Sequence, residues 1–156
     1  MNDFSTYSWK DKKEEVTIPI KDSKEVAEFL GIMVGDGGID NRYLGRYEAS
    51  VCCNLEEDYE YVLNYVIPLI FKLFNKSPSI KQKIKDNAIY TRIYSKAIVL
   101  YLMKKGLPKG KKVEAIIDIN SLVSKEYVNH FLRGLADTDF CLRFKRKKNK
   151  GNQFHF

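Results

Sequence analysis

Apolar residues recur at helical spacing in several stretches of the chain. The first stretch follows Asp22 and carries apolar side chains at Val26, Phe29, Leu30, Met33 and Val34. This spacing predicts an amphipathic helix, which Asp22 is expected to cap together with Glu25 in a capping box. We expect the helix to end at Asp36-Gly37-Gly38, because glycine readily adopts the left-handed conformation that closes a helix.

The same spacing, with suitable capping residues, predicts three more helices. They are expected over residues 54–73, 95–106 and 124–138. Pro68 lies inside the first of these and should kink or break it, since proline lacks the N–H that a helix interior uses. Residues 113–123 show no clear pattern and stay ambiguous.

Alternation of polar and apolar residues predicts strands between these helices. The strands are expected over residues 46–53, 78–85, 88–94 and 140–147. Asp86-Asn87 should form the turn between the second and third strands. The order of helices and strands predicts an α+β fold with an antiparallel sheet, and this order begins to repeat after residue 124.

Two similar helix ends make the repeat specific. Residues 29–37 read FLGIMVGDG and residues 132–140 read LRGLADTDF. Gly31 and Gly134 lie 103 residues apart, as do Asp36 and Asp139. Each copy also has a second small residue about one helical turn later, at Gly35 and at Thr138. Each helix therefore has two small residues on one face. Such faces allow two helix backbones to approach closely, so these four small residues are the predicted helix interface.

The aspartates that follow these small residues are unusual for their position. A helix C-terminus carries partial negative charge, which disfavours a carboxylate there. If the helices pack together, Asp36 and Asp139 approach each other and either one pKa rises or a divalent cation neutralises both. Asp36-Gly37-Gly38 could alternatively be only a turn, and Asp137 a helix-end carboxylate with no ligand role.

The composition narrows the classes of function. The formal net charge of +7 fits a polyanionic partner such as nucleic acid. Three cysteines in no C-x-x-C pair and two histidines argue against a zinc ribbon and favour a reducing compartment, so we expect a cytoplasmic, nucleoid-associated protein. Nothing in the sequence resembles a signal peptide or a membrane span, so no membrane partner is expected.

The two nonapeptides resemble the LAGLIDADG motif of homing endonucleases, and the segments between them resemble the archaeal and intein-encoded branch of that family. The resemblance implies a saddle-shaped antiparallel sheet over double-stranded DNA, with the motif helices forming the central interface. It also implies that Asp36 and Asp139 are catalytic and bind Mg²⁺ or another divalent cation. A basic residue near the active site is typical of the family, and Lys111 and Lys112 are the candidates.

The chain departs from the family pattern in two ways. The sixth motif position is Val34 in the first copy, and the closing glycine is Phe140 in the second. Only 17 residues follow Asp139, so the expected organisation is an arm over 1–21, a full repeat over 22–123 and an incomplete repeat over 124–156. A clipped chain, a decayed gene and a homodimer that completes the missing half remain open explanations.

Polar side chains at alternate strand positions are the candidates for DNA binding. Those expected to contact phosphates are Lys81, Lys83, Lys85, Arg92, Arg143 and Lys145. Those expected to reach bases in the major groove are Arg46, Ser50, Tyr90 and Tyr94. The plainer alternative is the solvated face of a half-buried sheet, where lysine also discourages edge pairing.

Together these features predict a site-specific double-stranded DNA endonuclease of the homing type, which hydrolyses phosphodiester bonds with Mg²⁺ and serves intron or intein mobility. A shortened second repeat that leaves the enzyme inactive, or a decayed remnant, is an alternative. A second alternative is a non-catalytic binding relative, such as a regulator on DNA or a maturase on structured RNA.

Overall fold

The computed structural model describes residues 6–41, 45–110 and 115–139, and of Asp139 only its place in a helix. Seven α-helices are present in these ranges: α1 (Trp9–Lys13), α2 (Lys24–Gly35), α3 (Tyr59–Tyr61), α4 (Ile67–Phe74), α5 (Lys96–Lys105), α6 (Ile119–Leu122) and α7 (Val128–Asp139). Four strands accompany them: β1 (Gly37–Asp40), β2 (Glu48–Asn54), β3 (Ser79–Lys83) and β4 (Ala88–Tyr94). None of the helices in these ranges is long and apolar enough to cross a membrane.

The strands form one antiparallel sheet in the order β1-β2-β4-β3. Alternate side chains of the central strands point to the helix-covered face and are buried, at Ala49, Val51, Cys53, Ile89, Thr91 and Ile93. Helices α2, α4 and α5 contribute much of the same hydrophobic cluster, including Phe29, Ile70 and Ile98, and α7 adds Phe131. The predicted α+β class is therefore confirmed, and the opposite sheet face is left for polar residues.

The start of α2 differs from the sequence-based expectation. Ser23, not Asp22, is the N-cap, and its side chain accepts a hydrogen bond from the amide of Val26. Asp22 instead forms an ion pair with Lys105 at the end of α5. A serine hydroxyl caps a helix as well as a carboxylate does. The carboxylate of Asp22 is therefore available to link the start of α2 to the end of α5.

The end of α2 also differs from the prediction. Asp36 is the C-cap with an ordinary negative φ, and Gly37 begins β1, a strand that the sequence did not indicate. Gly37 is required for a steric reason, because a Cβ there would overlap the backbone of Met33. The glycine thus allows the chain to turn directly from helix to sheet, without a left-handed cap.

Pro68 does not break its helix. A π-helical turn over Val62–Val66 precedes it and connects α3 to α4. A wider turn is a common way to accommodate a proline, because a residue without N–H cannot bond the carbonyl four residues earlier. The expected irregularity is therefore present as a π-turn.

The residues before α2 pack against the rest of the fold. Asp11 is buried, and its carboxylate accepts hydrogen bonds from the hydroxyl of Ser8 at 2.7 Å and from the amide of Ala97 at 3.2 Å. Val16 is buried, and the amide of Thr17 donates to the carbonyl of Phe74. The described part of the segment predicted as an arm, residues 6–21, is thereby held against α4 and α5.

Two smaller expectations need correction. Lys85 lies in a 3-10 turn over Ile84–Asp86 and not on β3. Ser124 precedes another 3-10 turn over Lys125–Tyr127, and its hydroxyl donates to Asp22 instead of capping a helix. Because of these two turns, β3 ends before Lys85 and α7 begins after Tyr127, so both elements are shorter than predicted. The strand predicted over 140–147 lies outside the described residues.

Candidate functional site

Helices α2 and α7 pack together more extensively than any other pair of helices in the described ranges. A Cβ on Gly31 would overlap the carbonyl oxygen of Phe131, and a Cβ on Gly134 would overlap that of Glu28. Glu28 and Phe131 are themselves 103 residues apart, so the two contacts are equivalent under the repeat. The glycines therefore let the two backbones touch around a local two-fold axis.

The two helices run in the same direction. Their N-terminal ends are joined by a hydrogen bond of 2.7 Å from the hydroxyl of Ser124 to the carboxylate of Asp22. Both helices are 12 residues long. Their C-terminal ends, and with them the positions of Asp36 and Asp139, consequently lie at the same end of the helix pair.

Asp36 is tied to the sheet at this end. Its carbonyl accepts a hydrogen bond of 3.0 Å from the amide of Cys52. Burial raises the pKa of the neighbouring Cys53 thiol to about 12, with a further contribution from the negative charge of Asp36. The side chain of Asp139 lies outside the described residues. No group of three or more metal-ligating side chains occurs within the part of the chain that is described.

Thr138 and Gly35 are the other two residues of the predicted helix interface. The hydroxyl of Thr138 donates to the carbonyls of Gly134 and Leu135, so it bonds within its own helix. Gly35 is half-buried and is the last residue of α2. Small residues at these positions keep the C-terminal ends of the two helices close.

A charged pair that periodicity does not reveal lies beside this interface. Glu28 is 5% exposed, and its carboxylate is 3.3 Å from Nε of Arg133. Burial raises the pKa of Tyr65 to about 12, and its hydrogen bond to Glu28 adds to that shift. Asp137 lines an adjacent cavity of about 390 Å³ with Tyr65 and Arg133. The sequence analysis did not single out Glu28, because its partner Arg133 lies 105 residues later in the chain.

The sheet face opposite the helices brings most of the predicted DNA-binding residues together. Strand register puts Ser50 beside Arg92 and Tyr90 beside Lys81. The predicted residues that share this face are Ser50, Lys81, Lys83, Tyr90, Arg92 and Tyr94. Arg46 lies just before β2, outside the strand. Lys111, Lys112, Arg143 and Lys145 lie outside the described residues.

Glu48 organises the cations on this polar face. It is 7% exposed, and one of its oxygens lies 2.7 Å from a terminal nitrogen of Arg46 while the other lies 3.5 Å from Nε of Arg92. The ring of Tyr90 lies 5.2 Å from Nζ of Lys83 and 5.3 Å from Cζ of Arg92. The sequence analysis did not include Glu48 among the candidates, although it alternates with Ser50 on β2 and so lies on the same face.

Comparison with solved structures supports a specific fold. A structure from a study of mesophilic variants of the homing endonuclease I-DmoI superposes with a TM-score of 0.51 over 74% of this chain and 60% of that one, at 22% identity. An I-DmoI variant in complex with its target DNA, nicked in one strand and with Mn present, gives 0.53 over 78% and 65%, at 20% identity. The chain has the fold of a LAGLIDADG homing endonuclease. The predicted antiparallel sheet and paired motif helices are thus confirmed as the LAGLIDADG architecture.

Further comparisons show how much of each similar protein this chain covers. I-DmoI in complex with DNA and Mn gives a TM-score of 0.51 over 74% of this chain and 61% of that one, at 22% identity. This chain thus spans less than two thirds of the solved structures it matches. One of the subunits of the A-type ATP synthase of Pyrococcus horikoshii is 30% identical over 134 residues, which are 82% of this chain and 13% of that protein. No protein-family model matches the chain.

Proposed function

We propose that the protein is a homing-type endonuclease that cleaves double-stranded DNA at a specific site. The observation that supports this most directly is the parallel packing of α2 and α7 through Gly31 and Gly134. It brings the ends of both motif helices, each bearing an aspartate, to one place beside the sheet. The I-DmoI structures of the same fold include complexes with DNA and Mn, which supports a DNA substrate and a divalent cation.

The residues present fit a divalent cation. Asp36 supplies carboxylate oxygens at a helix C-terminus, where the helix dipole adds negative charge, and hard cations such as Mg²⁺ prefer such ligands. Asp36 and Asp139 would hold the cation. When bound, it stabilises charge on the phosphate and makes water a stronger nucleophile. Mg²⁺ is the cation we propose.

The protein's own residues would orient the substrate. Lys81 and Lys83 lie exposed on the edge strand β3, where they would bind phosphates of the DNA backbone. The hydrogen bond from the amide of Cys52 to the carbonyl of Asp36 fixes the backbone of the aspartate relative to the same sheet. Lys111 or Lys112 would stabilise charge on the phosphate being cleaved.

Carboxylate substitutions test the proposal. In a plasmid carrying the target site, Asp36→Asn and Asp139→Asn should each abolish cleavage while DNA binding persists, because an amide binds a cation far more weakly than a carboxylate. Asp137→Asn is the matched control: it removes an exposed carboxylate from α7 beside the Tyr65 cavity and should leave cleavage within about twofold.

The target itself can be found by incubating the protein and Mg²⁺ with sheared host genomic DNA and sequencing the new ends and the retained fragments. Recurrent new ends at one sequence are expected. Unchanged cleavage by Asp36→Asn, or the absence of recurrent ends with the wild-type protein, would contradict the endonuclease proposal.

A protein that binds nucleic acid without cleaving it is the second candidate. The polar sheet face supports binding on its own, because its cations do not depend on the helix-end carboxylates. Retained fragments that share a sequence, with no new ends, would favour this candidate. Preference for structured RNA over duplex DNA would favour a maturase.

The biological role follows from the same proposal. The match to 13% of a much longer protein is what a short mobile segment within a host protein would give, which supports intron or intein mobility. A cytoplasmic, nucleoid-associated setting stays a proposal that rests on the expected DNA substrate. A homodimer would need a surface other than Gly31, since α7 of the same chain already covers that residue.

A further inference from the structure

We propose that Arg92 reads a guanine in the major groove and that Glu48 is the residue that positions it. The inference rests on the DNA binding proposed above and deepens it. It also changes the role expected for Arg92, which the sequence grouped with the phosphate-binding cations. Four observations on the polar sheet face support it.

Arg92 lies at the middle of this face. It is on β4, one of the two central strands, and its side chain is 23% exposed. Across the sheet its neighbours in register are Ser50 on β2 and Ser79 on β3, and Ser50 is in turn paired with Gly38 on β1. All of these neighbours are small, so Arg92 is the one long side chain in its row.

Glu48 restricts the guanidinium of Arg92. The carboxylate is almost fully buried, and its two oxygens divide between Arg46 and Arg92. The contact to Arg46 includes hydrogen bonds of 2.7 and 3.2 Å, so the carboxylate is itself anchored. Nε of Arg92 is buried without a hydrogen-bond partner, so Glu48 acts on it as a fixed neighbouring anion, through charge and not through a hydrogen bond.

Tyr90 restricts Arg92 from a second side. Its ring centroid is 5.3 Å from the central guanidinium carbon, which is within the range of a cation–π contact. The tyrosine lies two positions before Arg92 on the same strand and the same face. An arginine held by a carboxylate and an aromatic ring has already lost much of its conformational freedom before DNA binds.

The lysines of β3 differ from Arg92 in position and exposure, although Nζ of Lys83 also lies 5.2 Å from the ring centroid of Tyr90. Every residue of β3 is exposed, and the strand lies at the edge of the sheet. Lys83 has an ion pair of 3.6 Å with Asp86 in the adjacent turn, but its side chain stays 42% exposed. Exposed lysines suit phosphates, which need charge more than geometry.

A fixed arginine suits a base edge. Arginine forms two parallel hydrogen bonds with O6 and N7 of guanine, the commonest specific contact in the major groove. This bidentate contact requires a defined orientation of the planar group, which Glu48 and Tyr90 provide. The same need explains why a buried carboxylate is retained on a face that binds a polyanion.

Binding-site selection from a random duplex pool, followed by salt titrations on the selected site, tests the inference. Arg92→Ala should lose the preference for guanine at one base pair, with roughly ten- to hundredfold less discrimination there. The dependence of affinity on salt should stay unchanged, because no phosphate contact is removed. Arg92→Lys should restore only part of the preference, since lysine can reach the same acceptors of guanine but lacks the rigid planar group that Glu48 and Tyr90 orient.

Two further variants separate positioning from charge. Glu48→Gln should weaken the same guanine preference while leaving the salt dependence intact. Lys81→Ala is the matched control: it should lower affinity for all sequences alike and reduce the salt slope by about one. If Glu48→Gln does not fold, as judged by its thermal transition, the Arg92 variants decide the result.

The outcomes distinguish this inference from the proposed function. If Arg92→Ala selects the same sequences as the wild type, or changes only the salt slope, the base-reading role is wrong although the protein binds DNA. If the wild type enriches no duplex sequence but binds single-stranded nucleic acid, both the inference and the proposed function fail.

Discussion

Cys53 illustrates how the surroundings of a single residue set its chemistry. The thiol is buried on the helix-covered face of β2, whereas Cys52 points to the polar face and is partly exposed. Burial, with the charge of Asp36, raises the Cys53 pKa to about 12. Adjacent cysteines of one strand thus have different surroundings, because successive side chains of a strand point to opposite faces.

This difference gives a prediction for thiol modification. Iodoacetamide at about pH 8 should alkylate Cys52 of the native protein and spare Cys53, because only the thiolate reacts and the Cys53 thiol stays protonated. Peptide mass spectrometry measures the two sites, and denatured protein is the control in which both react. Equal alkylation of the native pair would show that Cys53 is not buried beside Asp36.

Among the elements, the contact between α2 and α7 depends most on side-chain size. Gly31 lies against the backbone of α7, with the amide nitrogen of Leu135 2.8 Å from where a Cβ would be. Backbone cannot move aside as a flexible side chain can. The glycine is therefore required by the approach of a second helix, although its own helix would tolerate alanine.

Gly31→Ala should consequently destabilise the protein, by about 1–3 kcal/mol as for other overpacked cores. Gly38→Ala is the matched control, since its nearest neighbour would be the hydroxyl of Ser50 at 3.9 Å, and it should change stability by less than about 0.5 kcal/mol. Denaturant unfolding followed by circular dichroism measures both. Equal stability of the two variants would contradict the close helix contact.

At the scale of the whole molecule, Asp22 joins three helices. It precedes α2, forms an ion pair with Lys105 of α5 and accepts a hydrogen bond from Ser124 ahead of α7. The hydrogen bond from Lys105 is the main cause that lowers the pKa of Asp22. At the start of α2, a hydrogen bond from Lys72 of α4 likewise lowers the pKa of Glu25 to about 2.

These lowered pKa values set a dependence of stability on pH. In the folded protein both carboxylates release their protons more readily than in the unfolded chain, so their stabilisation is complete above about pH 4.5 and is lost as pH falls toward 2. Asp22→Asn should therefore lower the melting temperature at neutral pH by a few degrees, roughly 2–4 °C. The difference from wild type should shrink near pH 3, measured by calorimetry. A difference independent of pH would show that the charge of Asp22 does not matter.

Part of this architecture can be derived from the chain alone. Local periodicity is strong enough to place α2, α5, β2 and β4 close to their observed ranges, because each buries one regular face. The spacing of 103 residues between Gly31 and Gly134 indicated two equivalent helices in close contact. Alternation along the strands placed Ser50, Tyr90 and Arg92 on polar faces before the register was known.

Other features depend on contacts between distant segments, which no local pattern contains. Ser23 caps α2 because Lys105, 83 residues after Asp22 in the chain, draws that carboxylate away. The pairing of Glu48 with Arg92 depends on the register of β2 on β4. The need for glycine at position 37 appears only when the backbone of Met33 is seen to lie where a Cβ would be. The sequence by itself determined which residues face the core, the partner helix and the solvent. The tertiary structure decided which charges meet, since ion pairs form across elements whose relative positions are fixed only when the core closes.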